Sequence, residues 1–211
     1  MTSTCRTARP SAPTVTNAVG TAYGVDFSGA RLAGRSIWVA KLEPTGGDGP
    51  PYVLSGLGRL EKICGTAERS EALAALVSLI AGSRGCLWGL GFPFAFPFEV
   101  AGPWPEQLEL VRSWGDDAFG LSLELVRRTE RLFGRKHLKR LTDREHRAPH
   151  DPYHYRVIYQ TFFGMRDVLR PLLEVPGTTV LPFGYNDLRG SDRIVVEACP
   201  ATTLDNLGLP R

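Results

Sequence analysis

The sequence lacks the cysteine patterns that mark a zinc site or a disulfide framework. Its four cysteines, Cys5, Cys64, Cys86 and Cys199, are far apart, and no Cys-x-x-Cys pair occurs. Scattered cysteines of this kind are typical of thiols that stay reduced. We therefore expect a cytoplasmic protein that is stabilised by a hydrophobic core rather than by cross-links.

Long apolar segments are also missing. No stretch approaches the roughly 18 uninterrupted apolar residues that a membrane helix needs, so we predict no membrane span. Residues 1–18 are rich in Thr, Ser, Ala and Pro but lack the apolar core of a secretory signal. They predict a disordered tail, followed by one domain over residues 19–211.

The excess of positive charge is small, because 25 Lys and Arg residues oppose 22 Asp and Glu residues. This balance permits nucleic acid or phosphorylated ligands without requiring them. Between Arg127 and Arg147, however, nine basic residues face only three acidic ones. We interpret this segment either as a solvated basic loop or as a surface that contacts phosphates, and both interpretations stay open.

Three histidines in or beside this basic segment are spaced four residues apart. His146, His150 and His154 would share one face of a helix, where they could hold a metal. Pro149 and Pro152 interrupt a helix in this region. We therefore favour a loop over a histidine metal cluster.

The order of the predicted elements indicates an α/β domain. Strands over 21–27, 35–43 and 52–60 follow one another through short connections, which predicts an antiparallel meander. The spacing of apolar residues over 70–80 predicts an amphipathic helix. A short buried strand at 85–90 follows, and we expect it to lie parallel to the first strand.

The second half of the sequence predicts a helical insertion and a late strand. Residues 103–175 have mostly helical spacing, and 178–181 form a short extended segment. β-branched residues over 193–200 predict a strand that Pro200 ends. We therefore expect a mixed five-stranded sheet, with three antiparallel strands and then parallel strands, flanked by helices.

Two acidic residues stand at the ends of predicted strands. Asp26 precedes the turn at Ser28 and Gly29, and Glu197 precedes Pro200. On neighbouring strands they would offer the oxygen ligands that Mg²⁺ or Mn²⁺ prefers. With a third acid, two such ions could bind both reacting oxygens of a phosphodiester.

Two other interpretations of these residues remain open. Both acids could have a purely structural role, in which each carboxylate caps a turn by bonding to the nearby backbone. Alternatively, the Asp26-Phe-Ser28-Gly29 turn could contact phosphate in an actin-like ATPase or phosphotransferase. That class of protein needs a second phosphate loop and normally a second domain.

Five segments occur in a characteristic order along the chain. They are Gly24–Ala30, Gly89–Pro97, Leu141–Pro149, Tyr159–Leu169 and Val196–Ala201. Together they resemble the prokaryotic family called domain of unknown function 429, whose members are described as predicted ribonuclease H-like nucleases. The resemblance covers residues 24–201 and is more specific for the fold than for an activity.

The resemblance implies a ribonuclease H-like fold and metal-dependent hydrolysis of RNA or DNA. It implies that Asp26 and Glu197 are catalytic residues and ligands of Mg²⁺ or Mn²⁺. We further expect substrate contacts from motif positions, namely Ser28, Asp143, Arg144, Arg147, Gln160 and Arg166.

Two features depart from the family's pattern. Gly91 stands where the family usually has an Asp, and Asp143, Asp151 and Glu99 are the acids that could replace it. The sequence ends at Arg211, where the family's final acidic helix is expected. A catalytically inactive ribonuclease H-like module that binds nucleic acid or protein is therefore an alternative function.

Overall fold

The computed structural model describes residues 20–46 and 50–209. The tail predicted over residues 1–18 lies outside the described residues. Within the described ranges, the chain forms a mixed α/β fold with six strands in one sheet. The prediction of an α/β fold with a mixed sheet is confirmed, and the prediction of five strands is wrong.

The first three strands form the predicted antiparallel meander. They are β1 (Thr21–Asp26), β2 (Trp38–Pro44) and β3 (Tyr52–Arg59). β1 pairs with β2, and β2 pairs with β3, both antiparallel. Residues 47–49, between β2 and β3 in the sequence, lie outside the described residues.

The later strands are parallel to β1. They are β4 (Cys86–Leu90), β5 (Thr178–Val180) and β6 (Arg193–Glu197). β4 lies between β1 and β6, and β5 pairs with the outer side of β6, so the order across the sheet is β3-β2-β1-β4-β6-β5. The additional sixth strand is β5, whose three residues also appeared extended in the sequence.

Helices flank the sheet and fill the segment between β4 and β5. The α-helices are α1 (Ala33–Ser36), α2 (Leu60–Cys64), α3 (Arg69–Ala81), α4 (Phe98–Ala101), α5 (Trp104–Ser113), α6 (Ala118–Phe133), α7 (Leu141–Glu145), α8 (Ile158–Gly164), α9 (Arg170–Leu173) and α10 (Pro200–Asn206). A π-helical segment, Met165–Leu169, joins α8 to α9, and a 3₁₀ turn covers Tyr185–Gly190. None of the helices in the described ranges is long and apolar enough to cross a membrane.

The core forms where the helical faces meet the central strands. Leu73, Leu76 and Ile80 recur at helical spacing on α3 and are fully buried. On β4, Trp88 is fully buried, and its ring stacks on Tyr23 of β1 at a centroid distance of 3.9 Å. These contacts fix β1 and β4 side by side.

One close approach fixes the loop after β1 against α8. A Cβ atom at Gly29 would overlap the carbonyl of Tyr159, so only glycine fits between the two backbones. The end of β1 therefore lies beside the start of α8. This packing determines which residues surround Asp26.

Candidate functional site

A cleft opens at the edge of the sheet where β1, β4 and β6 end. We call it the edge cleft, and its volume is about 920 Å³. Clefts at the carboxyl ends of parallel strands are the usual place for ligand sites in open α/β sheets. Four charged residues of the described chain line it, namely Asp26, Arg140, Asp143 and Glu197.

Strand register explains why both predicted acids reach this cleft. Leu90 of β4 pairs with Val25 of β1 on one side and with Glu197 of β6 on the other. Asp26 follows Val25, so the two acids lie at one edge of the sheet with β4 between them. Successive side chains on a strand point to alternate faces of the sheet. At this register the side chains of Asp26 and Glu197 therefore leave their strands on opposite faces of the sheet.

Arg140 holds two carboxylates of the edge cleft together. It donates to Glu197 through Nη1 at 2.8 Å and through Nη2 at 2.6 Å. It also donates to Asp143 through Nε at 3.0 Å and through Nη2 at 2.7 Å. The guanidinium is thus bidentate to both acids, which is the strongest geometry for such pairs.

Burial and further hydrogen bonds stabilise this arrangement. Burial opposes the charge of Arg140, but the bonds to Glu197 and Asp143 outweigh it and raise the guanidinium pKa above its ordinary value. Asp143 additionally accepts the backbone N–H of Arg140 at 2.9 Å, which caps α7. Glu197 accepts the N–H of Phe94 at 2.9 Å. Arg140, Asp143 and Glu197 therefore form one rigid unit.

Asp26 differs from the other two acids. Its residue is exposed, and its carboxylate makes no hydrogen bond or ion pair with the described part of the chain. It lies beside Gly91, whose N–H donates to the carbonyl of Val25 at 2.8 Å. A Cβ atom at Gly91 would lie 2.9 Å from that carbonyl, so the backbones approach too closely for an acidic residue without a shift.

The proposed substitutes for the acid at position 91 lie elsewhere. Asp143 is bonded to Arg140, and Asp151 is paired with His137 at 2.8 Å. Glu99 is on α4 and does not line the edge cleft. None of the three acids therefore stands beside Asp26 as a free ligand.

The donor set decides which metal site the residues could form. Within residues 20–46 and 50–209, no group of three or more His, Cys, Asp and Glu side chains is placed to hold a metal. Both oxygens of Glu197 already accept bonds from Arg140. The residues do not fit a two-metal site. Asp26 is the one cleft carboxylate of the described residues without a hydrogen bond or ion pair, so it could serve as a single protein ligand of one cation.

The other predicted substrate residues divide into two groups. Gln160 lines the edge cleft, and Arg144 and Arg147 are exposed near the end of α7. Ser28 accepts the N–H of Ala30 at 3.3 Å, and Arg166 is bonded to Asp116 and Asp167. Neither Ser28 nor Arg166 lines the cleft, and their substrate contacts stay predictions.

Two residues that line the edge cleft were not expected from the sequence. Arg140 belonged to the basic segment, but its side chain is only 13% exposed because Glu197, 57 residues away, pairs with it. Phe183 lines the cleft, is 40% exposed, and stacks on Trp104 at 3.8 Å with the rings nearly parallel. No local sequence signal distinguishes either residue.

Comparison of the chain with family models, with curated proteins and with solved structures finds no match.

Proposed function

We propose that the chain is a ribonuclease H-like nuclease that hydrolyses phosphodiester bonds in RNA or DNA with Mg²⁺ or Mn²⁺. The observation that carries the proposal is the edge cleft, where an unpaired Asp26 and an exposed aromatic ring share one cavity. The antiparallel β1-β2-β3 meander, followed by parallel β4 and β6, supports the proposal of a ribonuclease H-like fold.

The charge of the edge cleft favours a divalent cation. Three carboxylates and one guanidinium line it, which gives a formal charge of −2 when the histidines are neutral. A concave surface with a charge of one sign concentrates ions of the opposite sign. When bound, the metal ion would stabilise charge on the phosphoryl oxygens and make a coordinated water a better nucleophile.

Each residue of the cleft has a distinct role in this proposal. Asp26 holds the cation, and the side-chain amide of Gln160 can donate to a substrate oxygen. The ring of Phe183 offers a flat surface on which a base can stack, already supported from behind by Trp104. Arg140 is a positioning residue, because it fixes Glu197 and Asp143 rather than reaching solvent.

The proposal is tested by titrating Mn²⁺ into the purified protein and measuring its affinity by calorimetry. Asp26→Asn removes the ligand charge and should weaken Mn²⁺ binding at least about tenfold, a loss of 1.4 kcal/mol. Glu130→Gln is the matched control, because Glu130 is an exposed acid on α6 outside the cleft. Equal affinity in wild type and Asp26→Asn would contradict the assignment.

A second candidate function has specific support. Arg140 neutralises Glu197, and Gly91 lacks the carboxylate that the family usually has there. These features favour a ribonuclease H-like module that binds nucleic acid without cleaving it. Such a module would bind an oligonucleotide with an affinity that falls steeply with salt, and it would release no product with any divalent metal.

We also infer a cytoplasmic location. Cys64, Cys86 and Cys199 are free thiols in the described part of the chain, and Cys199 is exposed. An exposed free thiol persists in a reducing compartment.

A further inference from the structure

A second cavity adjoins the edge cleft, with a volume of about 420 Å³. We call it the basic pocket. Its lining is rich in cations and imidazoles and consists of Arg135, His137, Leu138, Lys139, Arg144, Pro149, His150, Asp151 and His154. Pro149 and His150 line both cavities, so a ligand in one lies next to the other.

The formal charge of the basic pocket is opposite to that of the edge cleft. The lining includes three cations and one acid, which gives a formal charge of +2 when the histidines are neutral. The cations are Arg135, Lys139 and Arg144, and the acid is Asp151. Asp151 is only 2% exposed, and its Oδ2 lies 2.8 Å from His137 Nδ1. The carboxylate of Asp151 therefore pairs with the His137 imidazole. The three cations therefore have no acidic partner among the residues that the structure describes.

Two of these cations are free to bind a ligand. The guanidinium groups of Arg135 and Arg144 make no hydrogen bond or ion pair within the described part of the chain. Arg135 lies 5.9 Å from the ring of Phe133, and Lys139 Nζ donates to the carbonyl of Ala148 at 2.6 Å. Unpaired guanidinium groups at a concave surface suit the oxygens of a phosphate.

The imidazoles add hydrogen-bonding groups to the same wall. His150 stacks on His154 at 4.1 Å, and His154 lies 5.3 Å from His137. Burial lowers the pKa of His154, and the nearby His150 adds to that effect. A phosphate in the pocket would thus meet the fixed cations together with imidazole hydrogen-bonding groups.

We propose that the basic pocket binds a phosphate group of a nucleic-acid strand whose neighbouring part lies in the edge cleft. The edge cleft has a formal charge of −2 and would take a phosphate that already carries a bound cation. The basic pocket has a formal charge of +2 and would take a neighbouring phosphate of the same strand without a cation. The inference rests on the nucleic-acid ligand of the proposed function, and it does not require hydrolysis.

The test measures binding of a short fluorescent single-stranded oligonucleotide, with Ca²⁺ in place of Mn²⁺ so that the edge cleft can hold a cation without relying on cleavage. Arg144→Gln and Arg135→Gln should each weaken binding about tenfold, since each removes one charge-assisted contact. Each should also make the salt dependence shallower, by about 0.7 in the slope of log K against log salt. Arg127→Gln is the matched control, because Arg127 is exposed on α6 and lines neither cavity.

The outcomes separate specific from diffuse binding. Equal losses in the pocket variants and in Arg127→Gln would overturn the proposal, because they would indicate a general attraction to positive charge. Binding of inorganic phosphate that Arg144→Gln abolishes, without any binding of the oligonucleotide, would assign the pocket to a small phosphate ligand and overturn the nucleic-acid source. Unchanged affinity in both pocket variants would overturn it as well.

The same variants distinguish this proposal from the proposed function. Oligonucleotide binding that depends on Arg144, in a protein that never cleaves with Mn²⁺, would leave the pocket in place and remove the nuclease activity. Metal-dependent cleavage with an affinity unaffected by Arg144→Gln would do the reverse.

Discussion

The edge cleft and the basic pocket share a wall but satisfy their charges in different ways. In the edge cleft, Arg140 is bidentate to both Asp143 and Glu197 and is nearly buried. In the basic pocket, Arg135 and Arg144 have no acidic partner among the described residues. The comparison indicates that most charges of the cleft stabilise the fold, whereas two cations of the pocket, Arg135 and Arg144, are available to a ligand.

Asp26 is the exception in the cleft, and it makes the comparison informative. It is the one cleft carboxylate of the described chain without a hydrogen bond or ion pair. A ligand is therefore expected to meet one free acid in the cleft and two free guanidinium groups in the pocket.

The largest expected effect is on the Arg140 unit. Arg140→Leu leaves Asp143, whose side chain is 6% exposed, and Glu197 without their partner. Breaking such a buried pair from one side should lower the free energy of unfolding by about 3–5 kcal/mol. Urea unfolding measures the change.

The control for this prediction is an exposed pair of the same chemistry. Arg112 lies 2.7 Å from Glu109, and both side chains are more than half exposed. Arg112→Leu should therefore change the free energy of unfolding by at most about 1 kcal/mol. Similar losses in the two variants would contradict the distinction between structural and available charges.

An intermediate effect is expected at Tyr153, which is fully buried behind the basic pocket. Its hydroxyl accepts the N–H of Leu138 at 2.7 Å and lies 2.9 Å from Thr129 Oγ1. Tyr153→Phe leaves that N–H without a partner and should cost about 1–3 kcal/mol in thermal or urea unfolding. Tyr155→Phe, at an exposed tyrosine, should cost less than about 0.5 kcal/mol.

The smallest effect sharpens the comparison from the other side. Arg144→Gln should change the free energy of unfolding by less than about 0.5 kcal/mol, because the side chain has no partner to lose among the described residues. The same variant is expected to weaken oligonucleotide binding about tenfold. A large loss of stability in Arg144→Gln would mean that the pocket's cations are structural after all.

The fold was predictable where local patterns are strong. Strands β1 to β4, β6 and helix α3 were all expected from alternation, β-branched residues or helical spacing. Strand β5 has only three residues, too few for a periodic pattern, and its pairing with β6 depends on contacts across the sheet. Sheet order beyond β4 was likewise set by packing rather than by sequence spacing.

The site was predictable only in part. Asp26 and Glu197 were expected to meet at the ends of neighbouring strands; both line the edge cleft, but β4 lies between their strands. The partner of Glu197 could not be foreseen, since Arg140 stood among nine basic residues of similar appearance. Burial and long-range pairing separate Arg140 from Arg144, and neither property is visible in a single sequence.

The most direct test of the central claim is cleavage of an end-labelled single-stranded oligonucleotide in the presence of Mn²⁺. The proposed function predicts cleavage by the wild type and a decrease of about a hundredfold or more in kcat/KM for Asp26→Asn, with Glu130→Gln unchanged. Equal cleavage by wild type and Asp26→Asn would contradict the role of Asp26. No cleavage by a wild type that still binds the oligonucleotide would favour the non-catalytic module.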